Sequence, residues 1–211
     1  MNIAITALVL FGVFAILLIL GCPISISIAI SSIATTLINL LAGNIMNNGG
    51  IARRLINFAQ LLSGRIPGSL AHTNVLANMF FGALSGSAVA AASAIGGIMD
   101  PMEKENGYDP AFSTCVNIAS APTGLLIPPT SAFIVYSTVA GGVSISTLFM
   151  AGYVPGLLMG LGSMVVAFLY AKKHKYPTSG FPSMQTAVKV TLEALPSLLL
   201  IIIVIGGIVS G

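Results

Sequence analysis

The residues with the least expected chemistry lie in "TGLLIPPTSAFIVY", 123–136. Proline has no backbone N–H and, within a helix, strands the carbonyl four residues earlier. Pro128 would free the carbonyl of Gly124, Pro129 that of Leu125, and Pro122 that of Ile118. A residue before proline avoids helical geometry, so Ile127 and Pro128 are expected to be extended. The hydroxyls of Thr123 and Thr130 flank this break. Freed carbonyls and hydroxyls are hard oxygen donors, suited to a small cation such as Na⁺. A second stretch, "ALSGSAVA" (83–90), has the small, polar, glycine-containing chemistry of a turn. A helix starting near Ser87, with Ser85 and Ser87 as cap candidates around Gly86, would offer unpaired N–H groups and a positive dipole end to an anion.

Composition says what surrounds these residues. Of 211 residues, 56% are hydrophobic and 6% charged, and mean hydropathy is +1.02. A soluble domain carries roughly a quarter charged residues. The chain therefore reads as an all-α polytopic membrane protein whose main surrounding partner is the lipid bilayer. A net charge of +3 built from so few groups bears on topology and points to no nucleic-acid partner. Cys22 and Cys115 lie in apolar runs outside any CxxC pair and read as small buried residues. His72 and His174 are isolated from other metal-ligating types and read as non-ligands. No nucleophile has a positioned base, so no enzyme is expected.

The charges form islands: Arg53, Arg54 and Arg65; Asp100 to Asp109; Lys172, Lys173 and Lys175; Lys189 and Glu193. A bilayer core needs about 20 helical residues. Residues 1–52 hold two spans, about 3–21 and 24–42, split by "GCP". The first run is long and followed by others, so it reads as a span and not a leader. Residues 110–171 hold two more spans, with "AGGVSIS" (140–146) between them. Residues 66–99 would make a single helix of about 51 Å, too long, or two half-length helices of about 24 Å each. The latter is a re-entrant hairpin with its tip at 83–90. The positive-inside rule agrees, since a hairpin leaves "KKHK" (172–175) on the same cytoplasmic side as the arginines, whereas a single crossing would not. The expected layout is scaffold-type transmembrane helices over 1–49 and an interfacial arm helix over 50–65, with Ile51, Leu55, Phe58 and Leu62 on its apolar face. The hairpin follows over 66–99, a broken transmembrane helix over 110–143, another span over 147–175, and from 187 to 211 a connection to a further half. A plain helix leaving the membrane is the other reading of 50–65. "GLLMG" (156–160) reads as helix packing.

One proline-broken helix is common in membrane proteins, and "SGS" alone can simply pack helices. Their occurrence in consecutive charge-free stretches favours a midplane ion and substrate site like that of a secondary transporter. Every carboxylate falls in the charged islands, near the interfaces, which favours Na⁺ over H⁺ coupling. The competing class is a non-transporting membrane scaffold, which expects the 123–130 break to be packed and dry.

"NIMNNGGIARRLINFA", "FFGALSGSAVAAASAIGG", "ENGYDPAF", "IASAPTGLLIPPTSAFIVY" and "LFMAGYVPGLLMG" together resemble the large membrane (M) subunit of tripartite ATP-independent periplasmic (TRAP) transporters. The likeness runs from about Gly43 to Tyr176, with a weaker match at 195–211. The resemblance implies Na⁺-driven import of organic acids across the bacterial inner membrane by an elevator motion. It implies two inverted repeats, of which this chain would be the first. It also implies a small membrane (Q) subunit and a periplasmic substrate-binding (P) protein as partners. By that resemblance Ser85, Gly86, Ser87, Gly124 and Leu125 would hold Na⁺. Ser87, Pro122, Thr123, Ile127, Pro128, Pro129 and Thr130 would form the substrate pocket. Members often carry an Asp shortly after the tip serines, where this chain has Ala91, so that role does not carry over. The family usually has a longer lead before "AGNIMNNGG" and chains about twice as long. "ASAPTGLLIPP" is more like the sialic-acid and sugar-acid members than the C4-dicarboxylate members, which implies a sugar acid, with a C4-dicarboxylate as the alternative.

Overall fold

The computed structural model describes residues 3–24, 26–35, 37, 50–180 and 182–210. Every regular element among these residues is a helix. α1 (Ile3–Ile19) and α2 (Ile26–Thr35) are separated at Gly21, whose φ of 76° ends the first helix, and Pro23. Leu8, Phe11, Ile19 and Ile33 on this pair are exposed, as lipid-facing side chains would be. The far end of the second expected span, and the loop before Gly50, lie outside the described residues.

α3 (Ile51–Ser63) packs on α4 (Ser69–Ser85) and on α10 (Met184–Ser210). Its buried stripe is Ala52, Leu55, Ile56, Ala59 and Ser63. This corrects the face expected from sequence: Leu62 is 54% exposed, and Phe58 is half-buried. α4 and α10, with a smaller contact from α5, cover α3, so its inward stripe follows their positions and not one apolar row. Ser63 is part of the α3–α4 joint, sharing a hydrogen bond with Thr73 Oγ1 at 2.8 Å.

α4 and α5 (Ala88–Glu105) pack against each other, and α6 (Pro110–Ser120) lies on both. α7 (Thr123–Leu126) and α8 (Ser131–Ala140) follow, then α9 (Ile145–His174). With 30 residues, α9 is the one described helix both long and apolar enough to cross a membrane. Its Gly152, Gly156 and Gly160 share a buried face, while Met150, Val154, Leu158 and Val165 are exposed. Side chains of Ile127 and Met79 fill the space left by Gly156 and Gly160, so small-residue packing is what these glycines do.

The corner between α5 and α6 is tied to the end of α9. Tyr108 stacks on Tyr176 at 4.2 Å, Phe112 on Tyr170 at 4.1 Å, and the Asp109 N–H donates to the Tyr176 hydroxyl at 3.0 Å. Arg53 and Glu105 line one cavity at the same end. Three of the charged islands therefore meet at one end of the bundle. The expectation for the cysteines needs correcting: Cys115 is exposed and Cys22 half-buried. α6 buries the Phe112–Val116–Ser120 side, and Cys115 falls outside that stripe.

Candidate functional site

The chain turns at Gly86 and Ser87. Gly86 has φ 62°, a left-handed conformation that glycine takes without a Cβ penalty, and its N–H closes α4 onto the Gly82 carbonyl at 2.7 Å. Ser87 is extended, and its Oγ accepts the Ala90 N–H at 3.3 Å, capping α5. Ser85 Oγ accepts the Ser87 N–H and donates toward the Ser87 carbonyl, both at 3.3 Å. These hydroxyl bonds run within the tip, so the serines first of all build the turn.

The broken helix is interrupted twice. α6 ends at Ser120, and Pro122 restarts the chain as the single turn α7. Ile127 then leaves helical geometry at φ −82°, ψ 118°, and Thr130 caps α8 by accepting the Ala132 N–H at 3.3 Å. Pro128 and Pro129 have no N–H to return to Gly124 and Leu125, so those carbonyls have no intrahelical donor. Thr123 and Thr130 are 0% and 1% exposed, and the Thr123 hydroxyl donates to the Ser120 carbonyl. Pro122, Leu125 and Pro129 are half-buried. Ile127 and Pro128 line an apolar groove of about 490 Å³ with Met79, Leu157 and Leu198, not a polar pocket.

What joins tip and break is a pair of glycines. α7 lies on the last turn of α4, where a Cβ on Gly82 would collide with the Gly124 backbone and a Cβ on Gly124 with the Gly82 backbone. The two backbones touch one turn before Gly86.

A polar ladder holds this arrangement from below. Asn78 Nδ2 lies 2.9 Å from Asn74 Oδ1, 2.9 Å from Asn117 Oδ1 and 3.0 Å from Ser120 Oγ. Asn117 Nδ2 in turn donates to the Ala92 carbonyl at 2.9 Å, and Gly96 leaves room for that amide. One asparagine on α6 thus binds both arms of the hairpin. No expectation included these residues, although Asn74 and Asn78 stand four apart in a charge-free apolar run. That spacing puts them on one helix face, and uncharged polar side chains inside such a run are costly unless partnered.

The ladder ends at Glu103, in the last turn of α5. Glu103 follows the charge-free run, in the charged connection, yet is 1% exposed. α4 and α6 pack against α5, and Asn74 and Ser113 face the carboxyl. Its Oε1 accepts from Asn74 Nδ2 at 3.2 Å. Burial pushes its carboxyl up from 4.5 to about 7; the Asn74 amide and the neighbouring Ser113 hydroxyl pull it down, and Asp100 pushes it up. The folded chain holds this proton to higher pH than the unfolded chain. Stability present below about pH 4.5 is therefore lost as pH rises through about 7, by about 3 kcal/mol. Unfolding in detergent with choline as the only cation should show this fall, and Glu103→Gln should flatten it. An unchanged slope in Glu103→Gln would remove Glu103 as its source.

Residues 3–211 match the family model described as the DctM component of the tripartite ATP-independent periplasmic transporter. The chain is 51% identical to the uncharacterized protein YgiK of Salmonella typhimurium over 97% of its own length and 54% of YgiK. It is 43% identical to the C4-dicarboxylate TRAP transporter large permease protein DctM of Pseudomonas aeruginosa, over 82% of this chain and 40% of that protein. It is 39% identical to the sialic acid TRAP transporter large permease protein SiaM of Vibrio cholerae, again over 82% and 40%. The chain thus spans about half the length of the curated relatives it matches, or less. The match along its whole helical length shows that this chain belongs to the DctM component family of the tripartite ATP-independent periplasmic transporters.

Proposed function

We propose that the chain is one repeat of a Na⁺-coupled elevator transporter that imports an organic acid. The substrate is sialic acid or another sugar acid, received from a periplasmic binding protein. A small membrane subunit and a second half of the large subunit complete it in the bacterial inner membrane. Residues 66–99 act as the re-entrant hairpin, its tip at Ser85–Ser87 facing the carbonyls of Gly124 and Leu125. The observation that carries this reading is the backbone contact of Gly82 with Gly124, which sets the broken helix against the tip. Helix ends and unwound backbone at one place are what an intramembrane ion site needs.

The test is uptake in proteoliposomes containing the full large subunit, the small subunit and the binding protein. Replacing Ser85 and Ser87 together with leucine should lower Na⁺-driven uptake at least about tenfold. Ser87→Ala alone should cost about 1 kcal/mol of stability through the lost cap. Uptake indifferent to the Na⁺ gradient, or intact with both leucines, would sink the proposal. Offering a C4-dicarboxylate beside a sugar acid tests the substrate class, since relatives named for both are similarly close.

One observation favours a second reading, a non-transporting scaffold: Thr123 and Thr130 are packed away from any open surface. A cysteine at either position that reacts with a water-soluble maleimide during turnover supports transport. One that stays unreactive supports the scaffold.

A further inference from the structure

Away from the tip, a second cavity of about 380 Å³ lies between α4, α5 and α6. Its lining includes the carboxylates of Asp100 and Glu103 and the hydroxyls of Ser93, Ser113 and Thr114, with no lysine, arginine or histidine. Asp100 is exposed at the rim, whereas Glu103 is 1% exposed. Two buried oxygens of this lining, Glu103 Oε2 and Ser113 Oγ, have no hydrogen-bond partner among the described residues. The Ser113 hydroxyl sits beside the carboxylate without reaching bonding geometry. Arg53 lines a different cavity, with Glu105, and so does not enter this one.

A buried carboxylate oxygen without a donor is costly, and the cost is relieved by a positive charge held against it. A carboxylate and hydroxyls are hard oxygen ligands, which select hard cations over soft ones. One buried negative charge balances one positive charge. The cavity is far larger than a bare ion and has room for several waters of about 30 Å³ each to complete the shell. We propose that Glu103 Oε2 and Ser113 Oγ bind a small, partly hydrated monovalent cation of sodium size. This site lies about 24 Å along α5 from Ser87, by a rise of 1.5 Å per residue, and does not depend on the tip reading.

The test compares thermal unfolding of the full chain in detergent, above neutral pH, in sodium, potassium and choline chloride at matched ionic strength, with sodium NMR line broadening as the direct readout. Sodium should raise the midpoint relative to choline and broaden the sodium line. Glu103→Gln should weaken both effects at least about tenfold in sodium concentration. Ser113→Ala, which keeps the carboxylate and its packing, should weaken them less and serves if Glu103→Gln does not fold. Replacing Ser85 and Ser87 should leave the Glu103-dependent part intact. Sodium effects that persist unchanged in both Glu103→Gln and Ser113→Ala but vanish in the tip variant would overturn the proposal while leaving the tip reading standing. A calcium-specific effect, or one equal in all three salts, would also overturn it.

Discussion

An alanine at Gly82 or Gly124 should push the first hairpin arm away from the broken helix. At each position the new Cβ would meet the other glycine's backbone, not the end of a flexible side chain. Overpacking of a well-packed site costs about 1–3 kcal/mol, and a backbone obstacle belongs at the upper end. α7 is a single turn with no length over which to bend away, so the displacement should pass to Ile127 and the apolar groove beside it. The two substitutions remove the same contact, so the double variant should lose less than the sum of the singles. Gly97→Ala is the control, because a Cβ there meets nothing within 4 Å. Thermal unfolding of the four variants is the measurement. Additive losses, or a Gly124→Ala midpoint equal to that of Gly97→Ala, would show that this contact does not hold tip and break together. On the transport function proposed above, the same alanines should reduce uptake by the full assembly more than they reduce stability, because they move the carbonyls of Gly124 and Leu125 relative to the tip.

The second large effect is expected at Asn78. Asn78 is 0% exposed, and its Nδ2 reaches three acceptors with two hydrogens. Asn78→Leu keeps the branched shape, adds some volume and removes the donor, leaving the buried Asn74 Oδ1 and the half-buried Asn117 Oδ1 without it. A buried group left unsatisfied costs about 1–3 kcal/mol, so the variant should lose about 3 kcal/mol or more. The loss should couple to Asn117→Leu, since the two side chains form one network; the double variant should recover part of it. Amide exchange of α4 and α6 should quicken together in Asn78→Leu while α9 is less affected. Quickening confined to α4 would mean that the ladder does not join the arm to α6.

These two sites differ in how far they could be read in advance. The break at 127–130 follows from covalent structure, since a proline lacks its N–H in any surroundings. Even so, Pro101, Pro155 and Pro196 sit inside continuous helices, so a lone proline does not end one here. The adjacent pair at Pro128 and Pro129, preceded by extended Ile127, does. The turn at Gly86 and Ser87 is equally local: a left-handed glycine followed by a capping serine acts within four residues. The stripe of Gly152, Gly156 and Gly160 shows in the spacing alone.

The meeting of Gly82 with Gly124, the inward face of α3 and the burial of Glu103 were set by folding. Asn78 and Ser120 are 42 residues apart in the chain and 3.0 Å apart in space. Periodicity reports which side chains share a face; it carries no information about which neighbour covers that face. Leu62 stands in an apolar row and is exposed because α4 and α10 cover a different side of α3. Glu103 stands in a charged island and is buried because α4 and α6 close over it. Local chemistry therefore marked where the backbone opens and turns. Only packing between distant segments decided that those two places touch, and that a carboxylate lies at the base of the ladder beneath them.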